Sequence, residues 1–209
     1  MYVKNFRFKQ AELGVFLDAS KVAAELSPGC RIMGLTNGEF SLIDMIFHIL
    51  TRIGKSNIAI ATWSAGIKDA NQVRWLLDSD LIGDLRILTD HSYATRQKRY
   101  AVEMEELFGK ENIRTSEMHA KFVLIWNGAW RITIRTSMNL NANKTCETFE
   151  IDDNPEIFDF YMGYVEHTFG TMPEGVDGSS WRAKMSLDRF FQITGEKERK
   201  VTTQIVRKF

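Results

Sequence analysis

Between Leu42 and Leu50, apolar residues fall at positions 42, 43, 46, 47, 49 and 50, the three-and-four spacing of one helix face. Ser41 and Asp44 are placed to start that helix and Gly54 to end it. The next apolar run, Ile58-Ala59-Ile60-Ala61-Thr62, is short and unbroken, as in a buried strand, and Asp69 to Leu77 returns to helical spacing. Leu85-Arg86-Ile87-Leu88-Thr89 predicts a second strand, followed by a helix from about Arg96 to Phe108. The rhythm then changes. Phe122 to Trp126 and Arg131 to Ile134 are two β-rich runs flanking Asn127-Gly128, a strong hairpin signal. Thr148 to Ile151 suggests another strand, and Pro155 opens a helix carrying Ile157, Phe158, Tyr161, Val165 and Phe169.

The ends are less patterned. Glu12 to Leu17 is read as the start of a short helix and Ser27-Pro28-Gly29 as a turn. Gly170 to Ser180 is read as a glycine-rich loop, and a basic tail runs from Lys197 to Lys208. Strands alternating with helices and followed by a hairpin predict an α/β fold, a mixed sheet with helices on both faces. The expected division is an N-terminal extension over 1–40, a core over 41–170 and a C-terminal loop and tail over 171–209.

Composition adds bounds. In 209 residues, 27 basic side chains balance 27 acidic ones, and 44% are apolar, so a globular chain is expected rather than a disordered or strongly basic one. A local basic groove stays open. Cys30 and Cys146 fit neither a disulfide-rich secreted domain nor a metal spacing. Met1 to Arg7 lacks the apolar run of a signal peptide, and no stretch approaches the ~20 apolar residues that span a bilayer. A soluble, cytoplasmic protein is the expectation.

The candidate chemistry lies in His119-Ala120-Lys121, Ser137-Met138-Asn139 and Glu147. Residues two apart on a strand share a face, so His119 and Lys121 project together, and the hairpin brings Ser137 and Asn139 back toward them. Imidazole beside an ammonium, a hydroxyl and an amide suits a phosphate. The cation and donors hold its oxygens while the imidazole attacks or carries protons.

This arrangement resembles the His-x-Lys motif of the phospholipase D superfamily, with its following Gly-Ser-x-Asn and downstream Glu. The resemblance extends from about Leu42 to Phe169. It implies a phospholipase D-like α/β/α sandwich acting on a phosphodiester, with His119 forming a phosphohistidine and no metal or other cofactor required. It further implies that Lys121 and Asn139 bind phosphoryl oxygens, Ser137 supports them and Glu147 orients the ring of His119. The sequence departs from the family pattern at Trp126, where an Asp is usual, and at Thr136, where a Gly is usual.

The family mechanism uses two histidines. Of His48, His91, His119 and His167, only His119 is followed by x-Lys, so a homodimer with the site at its two-fold interface is implied. The small single-motif plan is similar to that of bacterial endonucleases, which makes DNA or RNA the expected substrate. Arg131 and Arg135, with Arg96, Lys98 and Arg99, are the candidate backbone contacts. Trp126 and Thr136 motivate the alternative of a catalytically degenerate module that binds nucleic acid or serves a structural role. A phospholipid-processing phosphodiesterase is a third reading and requires an apolar entry to the site.

Overall fold

A computed structural model describes residues 12–141 and 144–206. Eight strands form one mixed sheet: β1 (Glu12–Val15), β2 (Arg31–Thr36), β3 (Ser56–Thr62), β4 (Ile82–Asp90), β5 (Ile113–Ser116), β6 (Phe122–Trp126), β7 (Arg131–Thr136) and β8 (Glu147–Asp152). Their order across the sheet is β1-β2-β8-β7-β6-β3-β4-β5. The pairs β1/β2, β3/β4 and β4/β5 are parallel, and the four remaining pairs are antiparallel.

The alternation along each strand builds two cores. Ile58, Ile60, Val123, Ile125, Ile132, Ile134, Phe149 and Ile151 face one side. There they pack under α1 (Ala19–Ala24), α2 (Leu42–Ile53), α3 (Ile67–Asp78) and α5 (Lys98–Phe108), the last following a single turn, α4 (Tyr93–Arg96). Ala59, Ala61, Leu88, Phe122 and Leu124 face the other side, against Phe158 and Val165 of α6 (Pro155–Thr171). Because β3 is covered on both faces, it reads in sequence as a continuous apolar run. The predicted mixed sheet with helices on both faces is the observed architecture.

Local signals explain the helix ends. Ser41 and Asp44 form a reciprocal capping box on α2, and Gly54 closes it at φ 83°. Asn154 caps α6, with Pro155 in its first turn.

Two expectations at the ends are corrected. Glu12 to Val15 is a strand, not a helix start, since Gly14 and Val15 are poor helix formers and the backbone is satisfied by pairing with β2. β2 was missed because Gly34 interrupts its alternation. A Cβ there would run into the Phe149 ring and approach the Phe16 ring to 2.8 Å. The C-terminal stretch is not only loop. After an irregular connection, α7 (Ser180–Val206) forms a long helix beside α6. The side chains of the basic tail, Lys197 to Lys208, lie outside the described residues, as does Met1 to Arg7.

Candidate active site

The strand order gathers the candidate residues at one rim of the sheet. β6 runs antiparallel to β3, so its start lies beside the β3 exit, with Phe122 opposite Ala61. β7 ends against that start, with Arg135 opposite Phe122, and β8 begins there, with Phe149 opposite Thr136. His119 and Lys121 therefore precede β6, Ser137 and Asn139 follow β7, and Glu147 opens β8, all on the same edge. The turn after β7 is tied to the β3 exit by Leu140 N–H donating to Thr62 Oγ1 at 3.0 Å.

His119 is exposed. The Lys121 ammonium donates to the His119 carbonyl at 2.9 Å and lies 3.2 Å from Nδ1 of the same residue. An ammonium has no acceptor, so Nδ1 accepts in this arrangement. Partial burial pushes the Lys121 amine below its ordinary value, and the nearby Glu147 carboxylate acts in the opposite direction.

Ser137 donates its hydroxyl proton to Glu147 and accepts from the Thr148 N–H at 2.9 Å. Thr145 also donates to Glu147, at 3.2 Å. The carboxylate implied as the orienter of His119 is thus bonded to Ser137 and Thr145. The imidazole instead lies against the Trp63 indole, with ring centroids 5.2 Å apart. Among the described residues, the Asn139 side-chain oxygen is buried without a hydrogen-bond partner, an acceptor that only a donor group would satisfy.

The five arginines and lysines named as backbone contacts are dispersed. Arg131 opens β7, so at about 3.4 Å per residue it sits about 17 Å from the Thr136 end that leads to the site. Its side chain meets Asp159 of α6 at 3.3 Å. Arg135 is bonded to Asp152 and Glu150, which also hold Arg31, in a four-membered ion cluster. Arg131 is carried by β7 to the far edge from His119, whereas Arg135, beside the rim, is engaged by ion pairing. Arg99 pairs with Glu103 on the exposed side of α5, next to the exposed Lys98. Arg96 comes near His119 through Trp63, its guanidinium carbon 3.7 Å from the centroid of the Trp63 ring.

The other histidines have separate surroundings. His48 packs beside Phe47, and His167 Nε2 bonds the Ser186 carbonyl at 2.9 Å, joining α6 to α7. His91 is half-buried just beyond β4, its N–H bonded to the Ser116 carbonyl at 3.0 Å. Trp126 packs edge-on against Phe158, and the Thr136 hydroxyl donates to the Thr148 carbonyl at 2.8 Å. Among the described residues, no three His, Cys, Asp or Glu side chains cluster as metal ligands.

Beside His119 runs an apolar groove of about 290 Å³, lined by Met118, Ala120, Phe122, Tyr161, Phe190 and Phe191 among others. Phe160 and Phe191 at its edge are 59% and 62% exposed. This groove was not legible in the sequence, because it exists only once α7 packs along α6.

The architecture finds counterparts among solved structures. NucT from Helicobacter pylori matches 69% of this chain and 99% of its own, at 14% identity and a TM-score of 0.50. This chain has the fold of NucT. Nuc from Salmonella typhimurium, described as a phospholipase D family member, matches 69% of this chain and 96% of its own at 11% identity and a TM-score of 0.49. Phosphatidylserine synthase from Haemophilus influenzae matches 81% of this chain and 46% of its own at 15% identity and a TM-score of 0.46. No protein-family model and no curated protein sequence matches the chain.

Proposed function

We propose that this protein is a phosphodiester hydrolase, a nuclease that cleaves DNA or RNA through a phosphohistidine at His119. The observation that carries the reading is the pairing of an exposed imidazole with the Lys121 ammonium on the rim that also holds Ser137, Asn139 and Glu147. With the NucT fold, it supports chemistry on a phosphate at that rim.

In the resting arrangement Lys121 caps Nδ1, which leaves the neutral ring's proton on Nε2. A phosphate entering the rim draws the ammonium to its own oxygens. The exposed ring then gives its Nε2 proton to solvent and takes one from solvent at Nδ1, and the Nε2 lone pair is free to attack phosphorus. Lys121 and the Asn139 amide hold the non-bridging oxygens as charge builds on them. As the N–P bond forms, the P–O bond to the leaving alcohol breaks, and that oxygen takes a proton from the imidazolium of a second His119. Water then attacks the phosphohistidine, giving up its proton to the second imidazole, and a phosphate monoester leaves. Every step draws on side chains alone, so turnover continues in EDTA.

The second His119 belongs to a second copy of the chain. The apolar groove beside His119 is the surface on which that copy would dock, because exposed Phe160 and Phe191 flank the very residue that must be duplicated. The same groove also meets the requirement of the phospholipid reading, which keeps that reading as the second candidate. Among the described residues, no helix is long and apolar enough to cross a membrane.

The test is cleavage of labelled single- and double-stranded DNA and RNA in EDTA by wild type and His119→Ala, with the mass of each in solution measured by light scattering. The expected result is a dimer whose cleavage His119→Ala abolishes, and which Phe160→Asp with Phe191→Asp turns into an inactive monomer. Hydrolysis of phosphatidylcholine vesicles with nucleic acid left intact would transfer the assignment to lipid. Binding of nucleic acid, equal in wild type and His119→Ala and without cleavage, would replace the enzyme by a binding module.

A further inference from the structure

Around His119 the contacts form a closed circuit. The residue before it, Met118, donates its N–H to Asp90 Oδ2 at 3.2 Å. Asp90 Oδ1 accepts from the Ser92 N–H at 2.9 Å and from the Ser92 hydroxyl. Ser92 Oγ accepts from Arg96 Nε at 2.8 Å. The Arg96 guanidinium then donates to the Trp63 carbonyl at 3.0 Å and lies over the indole at 3.7 Å, in cation–π range. The indole meets the His119 ring at 5.2 Å and 50°. One chain of groups grips both the backbone leading into His119 and the plane of its imidazole.

We infer that Trp63, held by Arg96, is the positioning residue of His119. Three observations converge. Glu147, the orienter implied by the family pattern, is bonded to Ser137 and Thr145. Lys121, the other group at the ring, must leave Nδ1 when it turns to a phosphate, so the indole is the contact that stays on the imidazole at the moment of attack. Arg96 is exposed on the surface, yet its guanidinium is occupied by Ser92 and Trp63, which accounts for a surface cation beside the site without assigning it to the substrate. A flat ring against a flat ring restrains tilt while leaving Nε2 unobstructed, and such restraint acts on the barrier rather than on substrate affinity.

The inference rests on the hydrolase reading, and its test separates the two. The ring protons of His119, assigned by comparison with His119→Ala, report the indole directly through its ring current, whether or not the protein turns over. Trp63→Leu is expected to move those resonances toward their open-chain positions and to lower kcat roughly tenfold to a hundredfold with KM little changed. Trp63→Phe, which keeps a ring, is expected to restore most of both signals. Arg96→Met, which frees the indole without touching it, is expected to move both part of the way. Unmoved His119 resonances in Trp63→Leu overturn the inference. So does a loss confined to KM, which would make Trp63 a substrate contact. If wild type shows no turnover beyond His119→Ala, the hydrolase reading falls, and the ring-current shifts alone decide whether Trp63 holds the imidazole.

Discussion

Replacing Arg135 with Met separates a structural arginine from a nucleic-acid contact. Arg135 is bonded to Asp152 and lies 3.0 Å from Glu150, while Arg31 is bonded to Glu150 and lies 3.7 Å from Asp152. Asp152 is 1% exposed, and both arginines are less than a third exposed. Breaking a buried pair by removing one partner typically costs about 3–5 kcal/mol, because the other charge stays buried. Arg31 remains in reach of Asp152, so the loss should fall at the low end, about 3 kcal/mol. At about 2–4 °C per kcal/mol for a chain of this size, the melting temperature should fall by roughly 6–12 °C.

The pH dependence follows from Asp152. Burial raises its carboxyl above the ordinary 3.8, more than Arg135 and Arg31 lower it. The folded state therefore holds this proton to higher pH than the unfolded chain does. Stability from this group falls as pH climbs through the window that opens near 3.8. Arg135→Met removes an attraction that lowers the carboxyl, so the window widens upward. The deficit against wild type should be largest at neutral pH and shrink on approach to about pH 4. Urea unfolding of both proteins at the two pH values measures it. Unchanged stability at pH 7, together with a salt slope of DNA binding reduced by about one unit, would refute the structural assignment and make Arg135 a phosphate contact.

Two further predictions concern how the sheet is built. Gly34→Ala puts a methyl against the Phe149 and Phe16 rings and should cost about 1–3 kcal/mol in equilibrium unfolding, with Phe149→Leu in the same chain recovering part of it. Tyr164→Phe removes the hydroxyl that meets Ser116 Oγ and leaves a residue 1% exposed without its partner. A loss of about 1–3 kcal/mol is expected by the same measurement, and stability equal to wild type would show that Ser116 finds another partner.

The middle of the chain was legible because its signals agree across levels. The apolar stripe from Leu42 to Leu50 coincides with a capping box and a terminating glycine, and Asn127-Gly128 lies where two β-rich runs must reverse. The ends were not legible, for stated reasons. β1 is four residues long, shorter than either periodicity needs to declare itself, and β2 carries a glycine whose purpose is the Phe149 ring some 115 positions away. α7 presents Trp181, Met185 and Phe191 to solvent, so its apolar positions do not trace a single buried stripe.

The site shows the same division between what neighbours in sequence determine and what the sheet determines. His119 and Lys121 are two residues apart and meet by local geometry, though ahead of β6 rather than on a strand as the spacing predicted. Ser137 and Glu147 meet because β7 and β8 are adjacent and antiparallel, a pairing that the hairpin signal at Asn127-Gly128 does not reach. Trp63 meets His119 because β3 ends beside the start of β6, while Asp90 at the end of β4 holds the Met118 N–H before it and Arg96 holds Trp63. The one signal of Trp63 and Asp90 in the sequence was position at the carboxyl end of a strand, where α/β folds concentrate their chemistry, whereas Arg96 stood in a basic run read as a backbone contact. The two departures from the family pattern also acquire reasons. Trp126 fills space against Phe158, at the far end of β6 from His119. Thr136 donates to the Thr148 carbonyl and accepts from the Met138 N–H at 3.0 Å, closing the turn that presents Ser137. A glycine there would supply freedom, whereas the threonine supplies two bonds, so this part of the rim is held by side-chain chemistry.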